Sequence, residues 1–244
     1  MSTVGRNFNW KRPFGPSILQ TTISDELCDI FLSVGNRIRK DKLKKQKLDS
    51  RKKLAGNLSE EYGYSFDDGK DLHLEFSKKQ LEIVSEELKW LASQYTKLVM
   101  PRGSKDPFSD KPNILEVEDI KLVHPLWINY MKQGEWNPIH NHLGLISCVM
   151  YLKVPKEIRE ENDPVKGTEL SKKSNTPTAG KIEFSYGSHM PFSKSGITYT
   201  PKEKDVYFFP AKLTHQVYPF TSKTERISVS CNFKDIEDTR KRTW

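Results

Sequence analysis

Leu27, Ile30, Phe31, Val34 and Ile38 recur at helical spacing after Ser24-Asp25-Glu26. That stripe predicts an amphipathic helix, with Ser24 as its cap and two acids in the electropositive first turn. A second stripe, Leu81, Val84, Leu88, Leu91, Tyr95 and Leu98, follows Ser77-Lys-Lys-Gln80 and ends at Pro101 and Gly103. Ser77 and Gln80 have capping-box form, and the closing residues are helix breakers. Between the two helices, Lys53 to Phe76 reads as a loop or hairpin. From Leu115 the period changes to two. Leu115–Val123 and Leu126–Met131 read as strands, and Ile146–Val154 is nearly all apolar, as a strand buried on both faces requires. Polar Glu157 to Thr178 reads as a mobile insertion near a site mouth. Further strands are expected at Lys181–Tyr186, Asp205–Phe209, His215–Tyr218 and Arg226–Phe233. Seven or eight short strands with Gly and Pro turns predict a jelly-roll barrel, with the two helices covering one sheet. The chain is expected to be one domain: helical support over 1–112, a jelly-roll core over 113–235 and a basic tail over 236–244.

Composition narrows the setting. At 244 residues the chain can bury one good core. A mean hydropathy of −0.69 and the absence of a roughly 20-residue apolar run argue against a membrane span. The first ten residues show no signal-peptide pattern. Cys28, Cys148 and Cys231 are odd in number and widely spaced, so they read as buried apolar residues in a reducing cytoplasm. The net charge of +8 favours anionic partners. Much of it lies in Arg37–Lys53, where ten basic residues face two acids. This reads as a solvated helix end running into a loop; nucleic-acid contact is the rival, weakened by the lack of interleaved aromatics.

The chemistry sits in the histidines. His140 and His142 are two apart, and side chains two apart in a strand share one face. His215 lies far downstream and reaches them only if the intervening strands fold back into a small barrel. Arg226 follows eleven residues later, with Ser228 two residues on. Neutral imidazoles suit borderline divalent metals, and three protein ligands leave coordination positions open. A guanidinium pairs both oxygens of a carboxylate and keeps its charge. His73, His124 and His189 lack such company and read as structural or surface residues.

With these residues in place, the stretch from Trp127 to Phe233 resembles the Fe(II)- and 2-oxoglutarate-dependent dioxygenases. The resemblance is to a branch frequent in phage and bacterial genomes and related to prolyl hydroxylases. Its landmarks are Trp127-Ile-Asn-Tyr130, Gly134, His140-Asn-His142, Ser147–Leu152, Gly180–Phe184, Phe208-Phe-Pro210, His215 and Arg226-Ile-Ser228. The resemblance implies a double-stranded β-helix with Fe(II) held by His140, His142 and His215. It implies 2-oxoglutarate bound by Arg226, with Ser228, Tyr130 and Tyr151 beside it, and O2 as the third reactant. The activity implied is oxidative decarboxylation of 2-oxoglutarate coupled to hydroxylation of a substrate the sequence does not identify: a prolyl or other protein residue by analogy, with a nucleobase or a small metabolite left open. The setting implied is the cytoplasm (the host's, for a phage-encoded chain). His142 departs from the family's usual carboxylate, leaving the metal with its full +2 charge; Glu135 and Glu183 are the alternative carboxylates. Rival readings are a three-histidine cupin-type enzyme that does not use 2-oxoglutarate, a degenerate oxygenase that binds metal without turnover, and a non-catalytic barrel that binds nucleic acid.

Overall fold

The computed structural model describes residues 9–11, 15–52, 55–65, 75–99, 117–191 and 194–235. In chain order the elements are β1 (Asn9–Lys11), β2 (Ile18–Thr22), α1 (Asp25–Lys40), α2 (Lys42–Lys47), β3 (Glu61–Gly63) and α3 (Lys78–Val99). They continue with a 3-10 turn (Val117–Asp119), β4 (Ile120–Met131), β5 (Asn137–His140), β6 (Ile146–Lys153), α4 (Lys156–Glu160) and α5 (Glu169–Lys173). The chain then forms β7 (Ile182–Ser185), β8 (Gly196–Tyr199), β9 (Asp205–Pro210), β10 (Thr214–Val217) and β11 (Arg226–Asp235).

Both predicted helices form with the expected caps. Ser24 Oγ accepts from Leu27 N at 3.1 Å, and Ser24 also hydrogen-bonds the Glu87 carboxylate of α3. Ser77 and Gln80 satisfy each other's backbone N–H groups, as a capping box requires. The α1 stripe is buried throughout. Each fully buried aliphatic or aromatic side chain contributes about 1.5–3 kcal/mol by leaving water. Gly35 lets α1 approach the sheet closely: a Cβ there would stand 2.6 Å from Ile128 Cδ1 and 2.8 Å from the Tyr130 hydroxyl.

The strands form a seven-stranded sheet, β1-β2-β9-β6-β11-β4-β3, and a four-stranded sheet, β5-β10-β7-β8. All the pairings are antiparallel. The large sheet is buried on both faces, which explains the unbroken apolar run of β6. Cys148, Met150 and Leu152 point into one cluster with α1 and α3. Val149 and Tyr151 point into a second cluster with Ile182, Phe184 and Val217 of the small sheet. The mainly β, helix-supported double-stranded β-helix is therefore present, as two open sheets among the described residues rather than a closed barrel.

Several expectations are refined. The two predicted strands before Met131 are one 12-residue strand, β4, whose register against β11 shifts between Val123 and Trp127. Pro125 falls in that shift, where a missing N–H breaks no regular ladder bond. The polar insertion carries α4 and α5, and Glu161 after α4 accepts hydrogen bonds from Thr221 and Ser222. In the basic segment α1 ends at Lys40, α2 covers Lys42–Lys47 and a non-helical stretch follows to Lys52, with Lys53 outside the described residues; Arg39 and Lys45 pair with Glu60 and Lys44 with Glu75. Residues 115–116, His73, Pro101, Gly103 and the basic tail lie outside the described residues, as does the side chain of His124. Cys148 and Cys231, distant in sequence, are cross-strand neighbours; all three cysteines are buried and free. No helix among the described residues is long and apolar enough to cross a membrane.

Candidate active site

His140 ends β5 and pairs across the small sheet with His215 of β10. His142 lies beyond the end of β5, so the pleat does not place it, contrary to the expectation of one extended strand. Its backbone N–H instead donates to Ala211 O at 2.8 Å, which fixes the loop beside β9. The donor atoms of the three imidazoles all lie within 4.8 Å of one another.

The ring tautomers follow from their partners. His140 Nδ1–H donates to Pro138 O at 2.7 Å, and His215 Nδ1–H donates to Leu213 O at 2.9 Å. A carbonyl can only accept, so each Nδ1 carries the proton and each Nε2 presents a lone pair. Backbone carbonyls thus orient the rings from behind, the usual support for a metal-binding histidine. His142 Nε2 lies 3.2 Å from His215 Nε2. Two imidazole nitrogens at about 2.1 Å from one divalent ion, subtending 90–109°, stand roughly 3.0–3.4 Å apart. The observed separation fits that geometry.

Burial keeps these rings neutral. It lowers His142 to about 3, with His215 and His140 adding repulsion, and it lowers His215 to about 4. His140 is lowered by burial as well. Neutral imidazole is the metal-binding form. The candidate carboxylates are elsewhere. Glu183 accepts from Gln216 and Tyr218, on the face of β7 opposite inward Ile182 and Phe184. Glu135 accepts from Ser59 N and Lys132 N. Neither joins the histidine cluster.

These histidines line a cavity of about 230 Å³ between the sheets, together with Arg226, Ser228 and Tyr151. Arg226 is 2% exposed. Its Nη1 donates to Gly180 O at 2.8 Å and Nη2 contacts Met131 Sδ, while Nε has no partner. No ion pair to Arg226 occurs among the described residues; its neighbour Glu225 pairs with Arg39. The Tyr151 hydroxyl is also buried without a partner, and its ring lies 5.3 Å from the guanidinium. Burial raises Tyr151 to about 12, so the phenol remains a donor. Unmet buried donors are costly and mark a place for an acceptor. Gly180, with φ +64, allows the turn that brings its carbonyl to Arg226.

Tyr130 must be corrected. It alternates with Asn129 and Met131, so its side chain leaves the opposite face of β4, into the cluster with α1. Arg39 stacks over its ring and Asn36 Oδ1 accepts from its hydroxyl. It does not line the cavity. The inward residues of that stretch are Trp127 and Asn129, and Glu61 of β3 joins them. Alternation from Trp127 could have found Asn129, which is absent from the expected site residues; nothing in the polar Lys53–Phe76 stretch marks Glu61.

Residues 125–232 match a family described as "Putative 2OG-Fe(II) oxygenase". No curated protein matches the chain. Among solved structures, it is similar to the non-heme alpha-ketoglutarate-dependent epimerase SnoN from nogalamycin biosynthesis, at 13% identity and TM-score 0.51. That match covers 89% of this chain and 77% of that one. AviO1 from Streptomyces viridochromogenes Tue57 aligns at 12% identity and TM-score 0.50, covering 95% and 91%. An oxidoreductase of the 2OG-Fe(II) oxygenase family from Burkholderia pseudomallei aligns at 13% identity and TM-score 0.32. There the match covers 47% of this chain and less than half, 44%, of the other. The SnoN and AviO1 matches, at TM-scores of 0.51 and 0.50, establish the shared fold; the family match is to proteins described by 2-oxoglutarate and Fe(II). Over residues 125–232, less than half of its length, the chain is thus similar to the Fe(II)- and 2-oxoglutarate-dependent oxygenases.

Proposed function

We propose that the protein is a hydroxylase in which His140, His142 and His215 hold Fe(II), while Arg226, Ser228 and Tyr151 bind the distal carboxylate of 2-oxoglutarate. The observation that carries this reading is a single small cavity lined both by three convergent neutral imidazoles and by a buried guanidinium without an anionic partner. When bound, iron and the keto acid supply the oxidising chemistry. The chain's own residues position and shield. Pro138 O and Leu213 O hold two rings in the metal-binding tautomer, and Phe184 and Phe209 pack against His215. Arg226 Nε and the Tyr151 hydroxyl supply donors for a carboxylate, with the Ser228 side chain on the same face of β11 as Arg226.

Three neutral ligands leave the ion's +2 charge intact, and a dianionic co-substrate balances it without a protein carboxylate. No protein acid–base pair is required. The prime substrate is a small group carried into the cavity, such as a protein side chain. The cavity, about 230 Å³, lies below the ~300–1,000 Å³ usual for sites that enclose a whole ligand. Residues flanking the histidines, Ile139, Leu143 and Leu145, are exposed and apolar.

The test is anaerobic titration of the Fe(II)-loaded protein with 2-oxoglutarate, followed by visible absorption. A weak charge-transfer band that saturates at one equivalent is expected. Stoichiometric iron without that band would assign the pocket to a three-histidine enzyme that does not chelate 2-oxoglutarate; absence of iron binding would remove the metal site altogether.

A further inference from the structure

The register of the large sheet sets four polar residues in a row, one per strand, across the cavity wall. Tyr151 of β6 pairs with Ser228 of β11, Ser228 with Asn129 of β4, and Asn129 with Glu61 of β3. All four line the cavity. Strands lie about 4.8 Å apart, so Glu61 stands roughly 10 Å from Ser228 along this row and further from Tyr151. The row changes character along its length. Its β6–β11 end offers donors, the Tyr151 hydroxyl and Arg226 Nε. Its β3–β4 end offers acceptors: Glu61 Oε2 and Asn129 Oδ1 are buried without partners, as is Asn137 Oδ1 on β5.

Glu61 is the sharpest of these. It is 1% exposed, forms no ion pair among the described residues, and has a carboxylate oxygen with no donor. Its sequence neighbour Glu60 points the other way and satisfies Arg39, Lys45 and Lys132. A buried carboxylate without a paired cation is unfavourable, and burial, helped by Asp49 and opposed less strongly by the charge of Arg51, pushes the Glu61 carboxyl up to about 7. The co-substrate does not resolve this. A dianion belongs beside Arg226 and is repelled at Glu61.

We infer that Glu61, with Asn129 and Asn137, forms the subsite for the prime substrate and selects one carrying a cationic nitrogen, an ammonium or guanidinium group. This rests on the proposed function only in calling the ligand a substrate of that oxygenase. Glu61 is a specificity residue, binding the substrate away from the reacting atoms. A buried carboxylate flanked by two unpartnered amide oxygens favours a cationic donor over a neutral isostere, which brings no charge to pair with Glu61.

The test uses the 244-residue chain without iron or 2-oxoglutarate, titrated calorimetrically with the capped amino acids N-acetyl-lysine methylamide and N-acetyl-arginine methylamide. The norleucine and citrulline analogues serve as neutral controls. At least one cationic probe is expected to bind at least tenfold more tightly than its control, and E61Q should abolish that preference. E61Q should bind 2-oxoglutarate in the metal-loaded protein at least as tightly as the wild type, since it removes a negative charge from the cavity; loss of that binding would show Glu61 holding the pocket together and would overturn the inference. Equal binding of cationic and neutral probes, no binding of either cation, or cation preference surviving in E61Q overturns the inference. Because the probe titration contains neither iron nor keto acid, failure of 2-oxoglutarate to bind the wild type would instead count against the proposed function.

Discussion

Replacing Arg226 by Met separates the binding of the keto acid from the stability of the fold. In the wild type a buried guanidinium has one hydrogen bond to Gly180 O, a sulfur contact to Met131, a free Nε and no anion. Desolvating an ion costs several kcal/mol even after relaxation, and burial lowers the Arg226 pKa accordingly. The variant loses a charged hydrogen bond worth about 1.5–3 kcal/mol but also that desolvation cost. The unliganded variant should therefore be as stable as the wild type, or more so. Binding should respond in the opposite direction. Leaving a buried carboxylate without its cation costs about 3–5 kcal/mol. At 1.4 kcal/mol per decade, affinity for 2-oxoglutarate should fall roughly a hundred- to several-thousand-fold. The assay is anaerobic thermal unfolding of metal-loaded protein at about 100 times the wild-type Kd. The keto acid then stabilises the wild type by about 2.7 kcal/mol, and the variant by about 0.4 kcal/mol or less. A variant that keeps its 2-oxoglutarate affinity within threefold would refute the assignment of Arg226. Collapse of the unliganded variant would refute the argument about its unmet charge.

Three further outcomes are expected. His140→Ala and His215→Ala should each abolish stoichiometric Fe(II) binding in anaerobic dialysis, and His142→Asp should retain it; full affinity in either alanine variant would remove the site. Ser24→Ala deletes both the α1 cap and the bond to Glu87, so urea unfolding should show a loss of about 1–2 kcal/mol; a loss below ~0.5 kcal/mol would contradict the capping role. Burial pushes the Glu60 carboxyl up, but hydrogen bonds from Arg39, Lys132, Lys45 and Tyr62 prevail and hold it well below the usual carboxylate range. A depressed folded-state pKa means its stabilisation is complete above the unfolded value near 4.3 and is lost as pH falls below it. Wild-type stability should therefore drop more steeply than that of Glu60→Gln between pH 5 and 3, and parallel curves would rule this out.

The sequence made the elements legible wherever one local rule governed them. Ser24 and Ser77 announced their helices because caps act within a turn, and β6 announced its double burial through an unbroken apolar run. Tyr130 was misplaced for a physical reason: family position suggested a ligand contact, whereas the pleat that points Asn129 inward turns Tyr130 toward α1. His142 reaches the cluster by a loop bond to Ala211, a long-range contact with no periodic signature. Glu61 was invisible for a similar reason, since β3 has three residues and gains its meaning only by pairing with β4. The β8 strand went unread because Gly196–Tyr199 is mostly solvent-facing and lacks a clear apolar alternation.

The two-faced sheet separates two kinds of demand on its residues. Along β11, Arg226, Ser228 and Ser230 answer to what enters the cavity, while Ile227, Val229 and Cys231 answer only to the volume beneath α1 and α3. Substitutions on the second set trade one apolar shape for another and leave the chemistry untouched. The pleat of one strand thus lets the apolar packing against α1 and α3 be altered position by position without moving the polar lining of the cavity, because no residue of β11 serves both.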